Sequence, residues 1–169
     1  AVCLIVRRSD MARDLPHAPV LVAGWSDAAI RHRKLESLIH DRLRPLMQRA
    51  GGDALAMAGL SLDSIGHFEG YDAATIHLVN QIEGFGFAPV GAGLDFFQAG
   101  EMEISGRLPT NTGGGNVSHS YMHGWSQVAE VVRQLRHEAG KRQVPDVTAA
   151  MSALVQTDQA HPILYMRGE

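Results

Sequence analysis

Two short stretches of this 169-residue sequence put polar groups where chemistry could occur. The first is Gly113-Gly114-Gly115-Asn116, where missing side chains let backbone approach a ligand and turn successive N–H groups toward an anion. It runs into Ser118-His119-Ser120-Tyr121-Met122-His123-Gly124, just ahead of a helical pattern. A helix N-terminus favours negative charge, including charge that develops on an oxygen during a reaction. The second stretch is Tyr71-Asp72, at the end of a strand-like segment, on the edge of the sheet where α/β folds tend to place ligands. Each has a plain alternative: a surface turn for the glycines, and a rim tyrosine burying its ring for Tyr71.

Other patterns fail on inspection. Gly84-Phe85-Gly86 follows a helical run rather than a strand and lacks a third glycine in register, so it is no dinucleotide site. The glycine triplet is not followed by Lys-Ser/Thr and makes no P-loop. His119 and His123 are four apart, but no carboxylate lies between them and Gly124 weakens a helix there. No metal is expected. Cys3, in the apolar run Val2–Val6, reads as a core residue rather than a nucleophile.

The elements that must position these residues follow from periodicity. Val2–Val6 reads as a buried strand, and Pro19–Gly24 as a second strand. Ser26 is an expected N-cap for a helix with apolar positions Leu35, Leu38, Ile39, Leu43, Leu46 and Met47, broken or kinked at Pro45 and ended by Gly51-Gly52. Asp53–Ala58 is a short helical piece closed by Gly59. Leu62–Phe68 approaches a strand. Asp72 is expected to cap a helix carrying Thr75, Leu78, Val79 and Ile82, stopped by Gly84 and Gly86. A glycine-rich loop at Gly91, Gly93 and Gly100 precedes the triplet. Val128, Val131, Val132 and Leu135 then mark an amphipathic helix with Arg133, Arg136 and His137 near its end and Gly140 as its stop. Val147–Val155 and Pro162–Met166 are the closing strands. Alternating elements followed by paired strands indicate an α/β fold, a mixed sheet with helices on both faces, without an internal domain boundary.

Bulk properties narrow the class. With 45% apolar and 20% charged residues, the chain has globular composition and enough length for one core. A net charge of −3 in mixed-sign segments offers no basic stripe for nucleic acid. No apolar run reaches the length of a membrane span. One cysteine forms no internal disulfide and suits a reducing, cytoplasmic setting. The opening on a buried-strand pattern suggests that an N-terminal portion lies elsewhere.

Nearly the whole chain resembles the C-terminal half of the thiolase superfamily. Asn111-Thr112-Gly113-Gly114-Gly115 matches that family's Asn-x-Ser-Gly-Gly turn, and Gly124 takes the last glycine of its Gly-His-Pro-x-Gly segment. Tyr121 stands at the family's catalytic histidine. Ala58–Ile65 resembles the segment ahead of its Asn-Glu-Ala-Phe or His-Asp-Cys-Phe motif, which is Tyr71-Asp72-Ala73-Ala74 here. The stretch Asp158–Pro162, where a thiolase carries its base cysteine, has none. The pattern is most similar to thiolase-like (lipid-transfer-protein-type) aldolases of steroid side-chain degradation.

The resemblance implies a thiolase-like layered fold over residues 1–169, with the N-terminal half of the enzyme absent. It implies a retro-aldolase cleaving a β-hydroxyacyl-CoA, with Tyr71 and Tyr121 as a catalytic pair, in complex with an OB-fold, zinc-ribbon partner. Tyr121 is expected to transfer the proton and Tyr71 to assist, with the roles exchangeable. His123 orients a tyrosine or is a solvent-facing histidine at the helix start. Asn111, Gly113, Gly114 and Gly115 are the expected substrate contacts. Coenzyme A enters as part of the substrate, and no separate cofactor is expected. A homodimer would form through the absent half. The alternatives are an acyltransferase with its nucleophilic cysteine in that half, and a non-catalytic lipid-binding or scaffold subunit.

Overall fold

A computed structural model describes residues 1–12, 15–30, 40–119, 121–156 and 158–168, with the side chains of residues 40–42 outside that set. Five strands form one mixed sheet: β1 (Val20–Trp25), β2 (Ala28–Ala29), β3 (His67–Gly70), β4 (Ala149–Gln156) and β5 (Gln159–Arg167). Their order is β1-β5-β4-β3, with β2 also paired to β5. β4 and β5 form an antiparallel hairpin, β1 is antiparallel to β5, and β3 runs parallel to β4. Among the described residues the α-helices are α1 (His40–Ala58), α2 (Thr75–Phe85), the short α3 (Gly93–Gln98) and α4 (Trp125–Leu135).

Both faces of the sheet are covered, as the layered reading requires. On one side Leu43, Met47, Ala50 and Ala54 of α1 and Ile82 and Phe85 of α2 pack on Phe68, Met151, Ala153 and Leu164. On the other side Val131 and Leu135 of α4, Val144 and Val147 pack on Ala150 and Tyr165. Alternate residues of β4 therefore serve opposite cores, and β3 is buried along its whole length. The expected stripe on α4 holds, with Val131 and Leu135 fully buried. No helix among the described residues is long and apolar enough to cross a membrane.

Several local expectations are corrected. Val2–Val6 is not a strand: Ile5 and Val6 are 86% and 82% exposed, and Cys3 is exposed too. An apolar run joins a sheet only where a neighbour offers a ladder, and none of the described strands pairs with it. Ser26 caps no helix; its N–H donates to Pro162 O at 3.2 Å between β1 and β2. Leu35, Leu38 and Ile39 lie outside the described residues. Gly51-Gly52 does not end α1, which continues from before Pro45 through Asp53–Ala58. A Cβ on Gly51 would lie 3.0 Å from the Phe85 ring, so that glycine serves the close approach of α1 and α2. Gly84 is inside α2, and only Gly86 closes it. β3 begins at His67, after a helical turn at Leu62–Ser64. The glycine-rich loop contains α3. His137, at φ 58°, follows the end of α4, so Gly140 is not its stop.

Candidate active site

The segment after α3 returns alongside β3. Phe68 N–H donates to Pro109 O and Asn111 N–H donates to Phe68 O, each at 3.0 Å. The Asn111 side chain then bridges to the last residue of β3: Oδ1 accepts from Gly70 N–H at 2.8 Å and Nδ2 donates to Gly70 O at 3.0 Å. Both ends of this amide are thus engaged within the fold, fastening the glycine turn to the strand that delivers Tyr71. Tyr71 is held through its backbone as well. Its N–H donates to Ala153 O at 3.0 Å and to Gln81 Oε1 at 3.2 Å, and Gln81 Nε2 donates back to Tyr71 O at 2.7 Å.

Asp72 does not cap α2, whose N-cap is Ala74. Its carboxylate turns instead into the glycine turn. Oδ1 accepts from Asn116 N–H at 2.8 Å and from Gln127 Nε2 at 3.4 Å, and a Cβ on Gly115 would overlap Oδ2. Gly114 N–H is used by Asn111 O at 2.9 Å. The anion that this turn receives is therefore Asp72 itself, and two of its N–H groups are consumed inside the fold. Gly115–His119 forms a π-helical turn, in which Ser118 N–H reaches Gly114 O at 3.0 Å. α4 begins at Trp125 behind Gly124, so His119 and His123 do not share a helix.

Tyr121 emerges from this connection to meet Tyr71. The two phenol oxygens are 2.9 Å apart, with ring centroids at 6.5 Å. His123 Nε2 lies 3.1 Å from the Tyr121 oxygen, and the two rings are 4.8 Å apart. Tyr71 is 6% exposed and Tyr121 58%, so the pair has a buried and an open member. The hydrogen bond with Tyr121, then burial, then the charges of Tyr121 and Asp72 push the Tyr71 pKa up to about 12. Tyr71 therefore keeps its proton and can donate it toward Tyr121. A Tyr121 oxygen so bonded can act as a proton acceptor with a second phenol and an imidazole beside it.

A second polar assembly lies beneath the turn, and the sequence reading missed it. His67 and Glu69 point from β3 toward α4, where Gln127, Glu130 and Gln134 recur at i, i+3 and i+7 along the flank of the apolar stripe. That helical spacing of polar residues was the available signal. Thr112 Oγ1 donates to Glu130 Oε1 at 3.0 Å and accepts from Gln134 Nε2 at 2.9 Å. Arg142 bonds Glu130 through Nε at 3.2 Å and Nη2 at 3.0 Å. Burial raises the pKa of Glu130, but the bonds from Arg142, Thr112 and Gln134 outweigh it and leave the group below the ordinary carboxylate value. A cavity of about 330 Å³, lined by Glu69, Gly113, Gly115, Gln127, Glu130 and Arg133 among others, adjoins this assembly, and neither tyrosine lines it. Among the described residues no group of three His, Cys, Asp or Glu side chains could hold a metal ion.

Comparison with known proteins converges on one family. Residues 28–159 match the family model described as thiolase C-terminal domain-like. The chain is 36% identical over 136 residues to a steroid side-chain-cleaving aldolase of Thermomonospora curvata, covering 79% of this chain and 35% of that protein. It is 34% identical over 139 residues to a 17-hydroxy-3-oxo-4-pregnene-20-carboxyl-CoA lyase of Mycobacterium tuberculosis, with coverage of 80% and 36%. An acetyl-CoA acetyltransferase of Methanothermobacter thermautotrophicus is 33% identical over 160 residues, 90% of this chain and 40% of that protein. The chain thus spans between a third and two-fifths of the length of these relatives. A solved structure named Ltp2-ChsH2(DUF35) aldolase superposes with a TM-score of 0.82 at 30% identity, over 94% of this chain and 42% of the other. The mixed sheet, the glycine turn and these matches together lead to one conclusion: the chain belongs to the thiolase C-terminal domain-like family.

Proposed function

We propose that this chain supplies the tyrosine-bearing face of a thiolase-like carbon–carbon lyase that cleaves a β-hydroxyacyl-CoA, with a steroid-derived side chain as its acyl group. The observation that carries this reading is the 2.9 Å contact between the Tyr71 and Tyr121 oxygens at a strand end beside a glycine turn. Two relatives whose names specify an aldolase and a CoA lyase favour the same reaction class. In the forward step Tyr121, reacting as the phenolate with Tyr71 donating to its oxygen, takes the proton of the β-hydroxyl and becomes the phenol. The bond between the α and β carbons breaks, its electron pair enters the thioester as an enolate, and a ketone or aldehyde leaves. Returning a proton to the α carbon, from either phenol, completes the cycle. No covalent acyl-enzyme is needed, which fits a chain whose one cysteine, Cys3, lies outside these elements.

On this reading His123 orients Tyr121, and the backbone of Gly113–Gly115 with Asn111 shapes the adjoining surface for the substrate. Coenzyme A arrives as part of the substrate, and no other cofactor takes part. The chain works as a C-terminal half against an N-terminal half that builds a homodimer, in the cytoplasm. Exposed Ile76, Val117 and Trp125, on the elements that carry the site, are apolar surface for that half or for the acyl chain. The superposed structure is named Ltp2-ChsH2(DUF35) aldolase, which supports a partner protein for this chain, and the OB-fold, zinc-ribbon type is the one proposed.

The acetyltransferase relative supports a second reading, acyl transfer through a cysteine of the other half. Incubating the full gene product and its partner with β-hydroxyacyl-CoA thioesters separates the two. Release of a ketone or aldehyde without a trapped acyl-enzyme is expected. A trapped acyl-enzyme would establish acyl transfer, and no product across several chain lengths would indicate a scaffold.

A further inference from the structure

The assembly beneath the glycine turn joins the elements that carry the tyrosines. Glu69 lies two residues before Tyr71, Thr112 opens the triplet, and Glu130 is on α4. A Cβ on Gly113 would sit 3.1 Å from Glu130 Cγ, so the turn rests directly on that side chain. Glu69 is 1% exposed and Glu130 2%. We propose that Glu69 is a positioning residue held as the neutral acid beside ionised Glu130, so that this buried pair carries one proton and pins the glycine turn to the Tyr71 strand.

The hydrogen-bond pattern decides which group keeps the proton. Both guanidinium contacts fall on Glu130: Arg142 bonds it in a fork, and Arg133 Nη1 lies 3.7 Å from Oε2. Thr112 gives its one hydroxyl proton to Glu130 as well. Its 3.2 Å contact with His67 Nε2 must then be donated by the ring. That N–H also serves Glu69 Oε1 at 3.1 Å. His67 Nδ1 and Glu69 Oε2 are buried and meet no hydrogen-bond partner among the described residues. An imidazolium would bury a charged N–H without an acceptor at Nδ1, and an ionised Glu69 would bury a bare oxygen at Oε2. The neutral imidazole and neutral acid still leave these atoms unpaired, but bury no unpaired charge, which is the smaller cost.

The surrounding charges agree. Toward Glu69 the strand presents His67, α4 presents Glu130 and Arg133, and the loop after it presents Arg142. The turn presents His119 at the cavity wall, Asp72 lies behind Gly115, and the sheet adds Tyr165, bonded to Ser152 at 3.2 Å. Burial, with the Glu130 charge adding to it, raises the Glu69 pKa above the ordinary value against the hydrogen bond of His67, its charge when protonated, and the backbone N–H of Thr112. The raised value sets the sign. Between the unfolded and folded pKa the native state holds the extra proton, so the contribution is complete below the unfolded value and is lost as pH rises through the folded one.

Carbon-13 NMR of the glutamate carboxyl carbons in the full gene product tests the protonation state without reference to activity. One neutral carboxyl is expected at neutral pH, absent from Glu69→Gln and present in wild type. If every glutamate is ionised, or if the neutral signal survives in Glu69→Gln, the proposal fails. Gln reproduces the shape of the neutral acid and its donor, so failure of Glu69→Gln to fold would also overturn it. The positioning role rests on the lyase reading above and is measured separately. Glu69→Ala is expected to lower kcat on the order of 10²-fold with KM held, the scale of a displaced catalytic group. Glu69→Gln is expected to restore most of that kcat and to extend activity to higher pH. Equal losses in both variants would remove the role. An inactive wild type whose NMR shows the neutral acid would refute the lyase reading alone.

Discussion

Replacing Gly115 with alanine should disturb the site more than any neighbouring glycine substitution, and the two contributions can be separated. Gly115 has φ 57°, a left-handed conformation that costs an L-residue roughly 1–2 kcal/mol. The added Cβ would also overlap the Asp72 carboxylate, which is fixed by Asn116 N–H and Gln127. Overpacking of that kind typically adds about 1–3 kcal/mol. The total, about 2–5 kcal/mol, is a large share of the 5–15 kcal/mol that holds an ordinary domain together. Gly124 provides the control: φ is 86°, but a Cβ there meets nothing within 4 Å among the described residues, so only the conformational cost of roughly 1–2 kcal/mol applies. Urea denaturation of both variants should show a larger fall in midpoint for Gly115→Ala. Adding Asp72→Ala to the Gly115→Ala background should recover about 1–3 kcal/mol relative to additivity, because the overlap is gone. Equal midpoints for the two glycine variants, or strict additivity in the cycle, would refute the close approach of Asp72 to the turn.

Two further outcomes follow from the geometry around Tyr71. Alkaline titration of phenolate absorbance should show Tyr71 ionising near 12, with Tyr165 also raised by burial, and Tyr121→Phe should bring Tyr71 alone down by removing the largest cause of its shift. The stabilisation tied to this proton is complete below the unfolded value near 10 and disappears as pH rises through 12, so Tyr121→Phe should flatten the loss of stability in that window. Gln81→Leu removes the donor to the Tyr71 carbonyl and should cost about 1–3 kcal/mol in urea, with a parallel fall in kcat. A Gln81→Leu protein of unchanged stability would show that the clamp is idle.

The parts of the fold readable in the sequence are those where one periodicity governs. Val131 and Leu135 announce the buried side of α4, and the β4–β5 hairpin follows from two apolar runs around a polar link. Elements settled by contacts distant in sequence were not readable. Gly51 looks like a helix stop until Phe85 of another helix is laid against it, and α3 is hidden in glycine-rich sequence. Val2–Val6 has a strand's composition without a strand's neighbour. At the site, Tyr71 and Tyr121 were paired by family resemblance, since nothing local to either residue predicts a contact across 50 positions. The Asp72 contact to the turn was missed because its place before a helical run reads as an N-cap, and the Glu69–Glu130 assembly because β3, the turn and α4 supply it from separate stretches of the chain. Their partners, Asn116 N–H and Arg142, come into reach only once the chain has folded.

On the proposed mechanism a proton passes through the Tyr121 oxygen, and the kcat of a Tyr121→Phe enzyme measures that step. The full gene product with its partner protein should be assayed for cleavage of a β-hydroxyacyl-CoA as wild type and as Tyr121→Phe. A phenyl ring preserves the packing and removes only the hydroxyl, so kcat should fall by roughly 10²–10⁴-fold, the usual contribution of a positioned acid or base. Folding and partner binding should be retained. A Tyr121→Phe enzyme turning over at close to the wild-type rate would contradict the account.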